Sequence, residues 1–253
     1  MNILSAISTE ESSDLNSETH VLIDTRRVVG LIASLALVIV IVGTFANIAI
    51  YQIAEHEDAI LAKVMRRFDL GHEPSIPAWF SSLLLFANAM WLILIGTATS
   101  ILKKTHAYHW IALGLIFVGL SIDEAVMFHE MIDNFLLQVI PQSAVLIFPW
   151  VAVGATVALV VFFSFLTFLL HLEWRFRKLF VLSGAIFVGG AVGVEFIAGG
   201  VIDKHGVESL HHTFVQMIEE SMDIAGSLLF FYSLSEYWRS TFTDFQIKLA
   251  KEQ

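Results

Sequence analysis

Six stretches of this chain, near residues 27–53, 77–102, 108–133, 147–171, 178–202 and 208–238, are apolar for about the 20 residues that a helix needs to cross ~30 Å of hydrocarbon. Nothing in a bilayer core can bond an exposed backbone N–H or C=O, so each stretch has to satisfy its own, as a helix does. The fold expected is all-α: a polytopic membrane protein built as a six-transmembrane-helix bundle. Composition agrees, since 57% of the residues are hydrophobic against about 45–50% in soluble domains. Residues 1–26 are a polar acidic tail with no apolar core behind a basic start, which reads as a cytosolic tail rather than a signal peptide. Residues 27–239 form one membrane domain and 240–253 a second cytosolic tail.

Loop charge orients the bundle. Arg26, Arg27, Lys103, Lys104, Arg175, Arg177, Lys178, Arg239, Lys248 and Lys251 fall on one side, ten of the 14 basic residues. Lys63, Arg66, Arg67 and Lys204 fall on the other. Basic residues mark the cytoplasmic face, so both termini are expected there. The segment 55–70 has Ile60, Leu61, Val64 and Phe68 at helical spacing among charges, the pattern of an amphipathic helix on the outer interface. It is read as an anchor, or as a lid. Cysteine is absent, which excludes disulfides and thiolate chemistry, and a net charge of −10 argues against nucleic acid as a partner.

Within these apolar stretches the chain keeps Asp123, Glu130, Glu195, His212, Glu219 and Asp223. An ionisable side chain at the bilayer centre costs roughly 2.5–3.5 kcal/mol on insertion scales, so such residues mark functional sites by default. At 100° per residue Glu208, His212, Gln216, Glu219 and Asp223 fall on one face of the sixth stretch, with Glu220 some 60° away. On a regular third helix Asp123 and Glu130 share a face with Met127 between them, while Glu124 and His129 point elsewhere and His129 pairs with Asp133. At about 1.5 Å per residue, Asp123, Glu130, Glu195, Glu219 and Asp223 all lie roughly 23–33 Å from the cytoplasmic ends of their helices, with His212 near 39 Å. Asn47 and Asn88 lie at comparable depth and make an outer polar shell. Gly189 and Gly193 form a small-xxx-small pair that would let the fifth helix approach its neighbours.

No Lys or Arg lies at this depth. Either protons are shared among the acids or a cation neutralises them. In the first reading the cation is a divalent metal, iron or manganese with zinc also suited, because carboxylates with imidazole and no thiolate favour those ions. Glu130, Glu195, His212 and Glu219 would be its ligands, and Asp123 and Asp223 bridging ligands or proton acceptors. Gln216, Glu220, His129, Asp133, Asn47 and Asn88 would surround them. The chemistry would be redox or hydrolysis on an apolar small molecule. The second reading is proton or cation transport, since chains of Asp, Glu and His in spans carry protons. Against it, only small residues such as Gly114, Ser227 and Ser233 continue below the acids, as in a closed site. A third is an accessory subunit of a larger complex, and neither partner subunits nor a homo-oligomer is excluded. Haem is disfavoured: His106 or His109 and His171 sit at one level, but nothing else marks a porphyrin pocket.

No Gly-x-Ser-x-Gly, His-Glu-x-x-His or phosphate-binding loop is present. The run Ser121-Ile-Asp-Glu followed by His129-Glu130, and later Glu219-Glu220-x-x-Asp223-x-x-Gly226, resembles small bacterial membrane proteins without an assigned activity. Nothing is carried over from the resemblance; the location expected for the chain is the bacterial inner membrane.

Overall fold

A computed structural model of the protein describes residues 25–53, 59–72, 74–139 and 148–242. Among them the chain is all-helical: α1 (Thr25–Ile53), α2 (Ala59–Met65), α3 (Ile76–Ile101), α4 (Ala107–Val126), α5 (Phe128–Val139), α6 (Trp150–His171), α7 (Trp174–Val188), a π-helical turn (Gly189–Val194), α8 (Glu195–His205) and α9 (Leu210–Thr241). Five helices are long and apolar enough to cross a membrane: α1, α3, α4, α6 and the continuous rod from Trp174 to His205. α9 has the length, at 32 residues, but carries Glu219, Glu220, Asp223, Glu236 and Arg239 and falls short of the same apolar standard. Most of both tails and residues 54–58 of the amphipathic segment lie outside the described residues.

Local chemistry sets the helix ends. Ser75 caps α3 by accepting from the Ala78 N–H (3.2 Å), with Pro77 in the first turn where its missing N–H costs nothing. Ser209 caps α9 through the His212 N–H (3.2 Å). Between α2 and α3 the chain folds back onto the bundle: Leu70, only 1% exposed, presses on Gly43 and donates its N–H to Asn47 Oδ1 (3.0 Å).

α9 is the axis of the bundle and packs against α1, α3, α7, the π turn and α8. Its two halves have different surroundings. The C-terminal half lies in an aromatic core of Leu92, Ile95, Trp110, Phe168, Phe180, Phe230 and Leu234. Near its centre a smaller cluster joins it to Ala36, Phe80, Leu84, Ile224 and Phe231. Close backbone approach occurs at Gly226, where a Cβ would stand 2.7 Å from Phe187 N, and at Gly190, where it would overlap the Asp223 carboxyl. The expected Gly189/Gly193 contact does not form: Gly193 faces open space, and Gly190 does the packing.

Two expected helices depart from regularity. The third stretch is not one helix over 108–133. It breaks at Met127, whose backbone is left-handed (φ 61, ψ 45), into α4 and α5. A residue with a Cβ pays about 1–2 kcal/mol for that conformation. The Asp123 side chain offsets it by accepting the His129 N–H at the start of α5 (2.9 Å). The fifth stretch carries the π turn, an extra-residue widening of the helix that ends immediately before Glu195.

Candidate functional site

The break at Met127 redirects the residues that follow it, and the π turn sets Glu195 toward α9. Because α5 starts afresh, His129 turns back onto the end of α4, and its Nδ1 lies 3.2 Å from Asp123 Oδ2. This corrects two expectations from a regular helix. His129 does not point away from Asp123, and Glu130 does not share a face with it. Glu130 is exposed, and among the described residues no hydrogen bond or ion pair joins it to the other acids.

Asp133, one turn beyond His129, is buried and accepts the N–H of Trp150, the first residue of α6, at 2.5 Å. The Trp150 ring lies 5.2 Å from that of His129. Its indole N–H faces Glu195 but falls short of hydrogen-bond geometry, and it has no partner among the described residues. Glu195, set by the π turn, faces Glu219 of α9, carboxyl beside carboxyl. One turn along α9, Asp223 reaches toward the Ala191 N–H of the π turn and lies within electrostatic reach of Glu124, Glu195 and His129. Glu124, half-buried and close to Ser81 of α3, completes the group.

The site therefore gathers Asp123, Glu124, Asp133, Glu195, Glu219 and Asp223 around one imidazole. Each acid is within electrostatic reach of another charged member, and none has a lysine or arginine among its perturbing neighbours where such neighbours are resolved. Arginines gather instead at the far end of α9, where Arg26, Arg175 and Arg239 meet Glu236. Among the described residues no three His, Asp or Glu side chains converge in a geometry that would hold a metal ion.

Of the four ligands expected from the sequence, Glu195 and Glu219 meet. His212 is buried one turn into α9, with its Nδ1 bonded to the Val207 carbonyl (2.8 Å). Gln216 and Asn47 hold the segment after α2: Gly71 packs on Gln216, and Asn47 binds Leu70. Burial lifts the Asp69 carboxyl of that segment above its ordinary range, with the Gly71 N–H opposing. Asn88 lies in the bundle and donates to the Ser227 carbonyl (3.0 Å); Glu220 is half-buried beside the site. Sequence reasoning passes over Glu124, Ser81 and Trp150. Adjacency to Asp123 is the one signal for Glu124; Trp150 reads only as an interfacial aromatic.

At the opposite end of the bundle His106, His109 and His171 form a second group. His106 and His109 bring their Nδ1 atoms to 3.4 Å, and the His106 and His171 ring centres are 4.5 Å apart. Burial first, then the neighbouring His171 and His109, holds the His106 imidazole below the ordinary histidine value of 6.5. Below that value the unfolded chain takes up a proton that the folded chain resists. The stability of this neutral cluster is thus complete above about pH 6.5 and declines as pH falls through it. The His106 contribution is read as a difference between variants: the melting temperature of His106→Asn, which tolerates the left-handed backbone at φ 69, is expected to gain on that of wild type as pH falls from about 7 to about 5, and a constant difference would show that the cluster does not carry it.

Over residues 31–237 the chain matches the family described as Domain of unknown function (DUF8692). No curated protein and no solved structure matches it.

Proposed function

The chain belongs to the DUF8692 family, and we propose that it is a six-span integral membrane protein that binds and releases protons at the carboxyl cluster, as the exchange site of a cation carrier. α9 serves as the sixth span, both termini face the cytoplasm, and the membrane is the bacterial inner membrane. The acids of α9 are tolerable there because they face protein rather than lipid.

The observation that carries this reading is the carboxyl-to-carboxyl contact of Glu195 and Glu219. Two carboxyls can hydrogen-bond only with a proton between them. Losing that proton leaves two like charges in contact in a low-dielectric setting, which either draws in another cation or pushes α8 from α9. The π turn next to Glu195 is the deformable element through which such a push acts. His129, held by Asp123, is a second proton acceptor within reach of Glu195 and Asp223.

Purified protein in liposomes enclosing a pH-sensitive dye tests this. Acidifying the outside should produce protein-dependent proton entry well above that of empty liposomes, and entry at the empty-liposome rate overturns the proposal.

A divalent metal, iron or manganese with zinc as a variant, remains a second reading because Asp223 Oδ1 is buried without a partner beside Glu124 and Glu219. No three of these side chains converge on a metal geometry among the described residues, so Glu124, Glu195, Glu219, Asp223 and His129 would have to draw together to serve as its donors, with an apolar small molecule its substrate. Protein purified without added metal is then expected to carry close to one equivalent of iron, manganese or zinc by elemental analysis, and trace amounts alone would dismiss it.

A further inference from the structure

Most hydroxyl groups in this bundle have a partner: Ser82 and Ser121 bond across α3 and α4, and Ser221 bonds its own helix. Ser233, Thr99, Ser183 and Ser235, toward the C-terminal end of α9, each donate to a carbonyl of their own helix. That is the ordinary resolution for a hydroxyl in an apolar helix. The buried side-chain atoms with no partner among the described residues are Ser81 Oγ, Asn88 Oδ1, Trp150 Nε1, Asp223 Oδ1 and Ser227 Oγ. All five belong to one region. Trp150 and Asp223 are in the acid cluster, and Ser81 faces Glu124. Ser227 follows Asp223 by one helical turn, and Asn88 is bonded to the Ser227 carbonyl. Ser81, Asn88 and Ser227 are at most 2% exposed. An unpartnered polar atom at such depth costs about as much as a lost hydrogen bond, and native proteins meet that need with bound water or an ion. Several in one place mark a polar spot of the kind that bound water serves.

We infer that α3, α4 and α9 enclose a short file of bound water running from Glu124 and Asp223 to Ser227 and Asn88. Ser81 and Asn88 are seven residues apart on α3, about 10 Å along its axis, a length that two or three hydrogen-bonded waters bridge. The donors and acceptors suit water. Ser81 and Ser227 each offer one O–H and two lone pairs, while Asn88 Oδ1 and Asp223 Oδ1 accept. A proton enters such a file when one water takes it from a neighbour and passes another on. The waters are unchanged, and one positive charge has moved between the carboxyl cluster and the middle of the bundle. The path below the acids is thus supplied by residues that neither ionise nor stand out in an apolar helix. The transport role of the file rests on the proton-exchange reading above; its existence does not.

Hydroxyl-radical labelling by an X-ray pulse, applied to the full chain in detergent, reads bound water directly. Labelling is expected at the buried residues of 81–88 and 223–227, read residue by residue so that the exposed Leu83 and Phe86 are set aside, at several times the level at the buried residues of 92–98 and 230–234. Labelling of all four segments at one low level overturns the inference. As a second measurement, Ser227→Ala is expected to lower the melting temperature by about 2–4 °C, since it removes a water ligand. Ser233→Ala, which removes a hydroxyl bonded to its own helix, serves as the comparison. A higher melting temperature for Ser227→Ala, the result for a group that truly lacked a partner, counts against the file. Labelling without proton entry in liposomes keeps the water and removes the carrier reading. Proton entry without labelling does the reverse.

Discussion

Glu219→Gln is expected to cut protein-dependent proton entry into liposomes about tenfold or more, the equivalent of about 1.4 kcal/mol in barrier. Glutamine keeps the shape of the side chain and can still bond to Glu195, so α8 and α9 stay packed. It cannot release a proton, and it removes the charge that makes the pair respond to one. Glu195→Gln should behave alike, and the double variant should add little, because both changes break one unit. Glu130→Gln, on an exposed residue whose charge reaches Asp133 at the edge of the cluster, should change entry far less. Unchanged entry in Glu219→Gln, with the protein still monodisperse, would show that the pair is not where the proton is held.

The largest loss of stability is expected from Asp123→Ala. That one carboxylate accepts the N–H that opens α5 and the ring nitrogen of His129, and it holds the turn at Met127 in a left-handed conformation. Loss of a helix cap costs about 0.5–2 kcal/mol, and loss of a hydrogen bond to a charged partner about 1.5–3. A combined loss of about 2–4 kcal/mol should lower the melting temperature by about 5–15 °C. Asp123→Asn keeps an acceptor for the backbone N–H and should lose less than half of that. Tryptophan emission follows the change, since the Trp150 ring lies tilted 5.2 Å from that of His129. A melting temperature within about 1 °C of wild type would mean that other contacts hold the turn.

Much of the architecture is legible in the amino-acid order because burial in lipid leaves the backbone few options. The long apolar runs become helices close to their expected limits, and the placing of acids on one layer brings Asp123, Glu195, Glu219 and Asp223 together. The assumption of regular winding is what fails. Met127 has neither the glycine nor the proline that usually signals a break, and its turn is stabilised by Asp123, a residue already credited with another task. An unbroken wheel therefore sends Glu124 and His129 outward and Glu130 inward, the reverse of their places. His212 and Gln216 fall on the correct stripe of α9 but above the cluster, where the chain after α2 and the α8–α9 connection take up their polar groups. Orphaned hydroxyls could not be foreseen at all, since a serine that bonds its own helix and one that does not are the same letter.

The widened turn at Gly189–Val194 makes the spacing of this rod a fixed quantity. Wound at 3.6 per turn with no residue removed, those six residues would swing all that follows by about 100°. Glu195 would then face a different neighbour while every apolar residue stayed apolar. The manner of winding, more than hydrophobicity, is what inheritance has to preserve along this stretch.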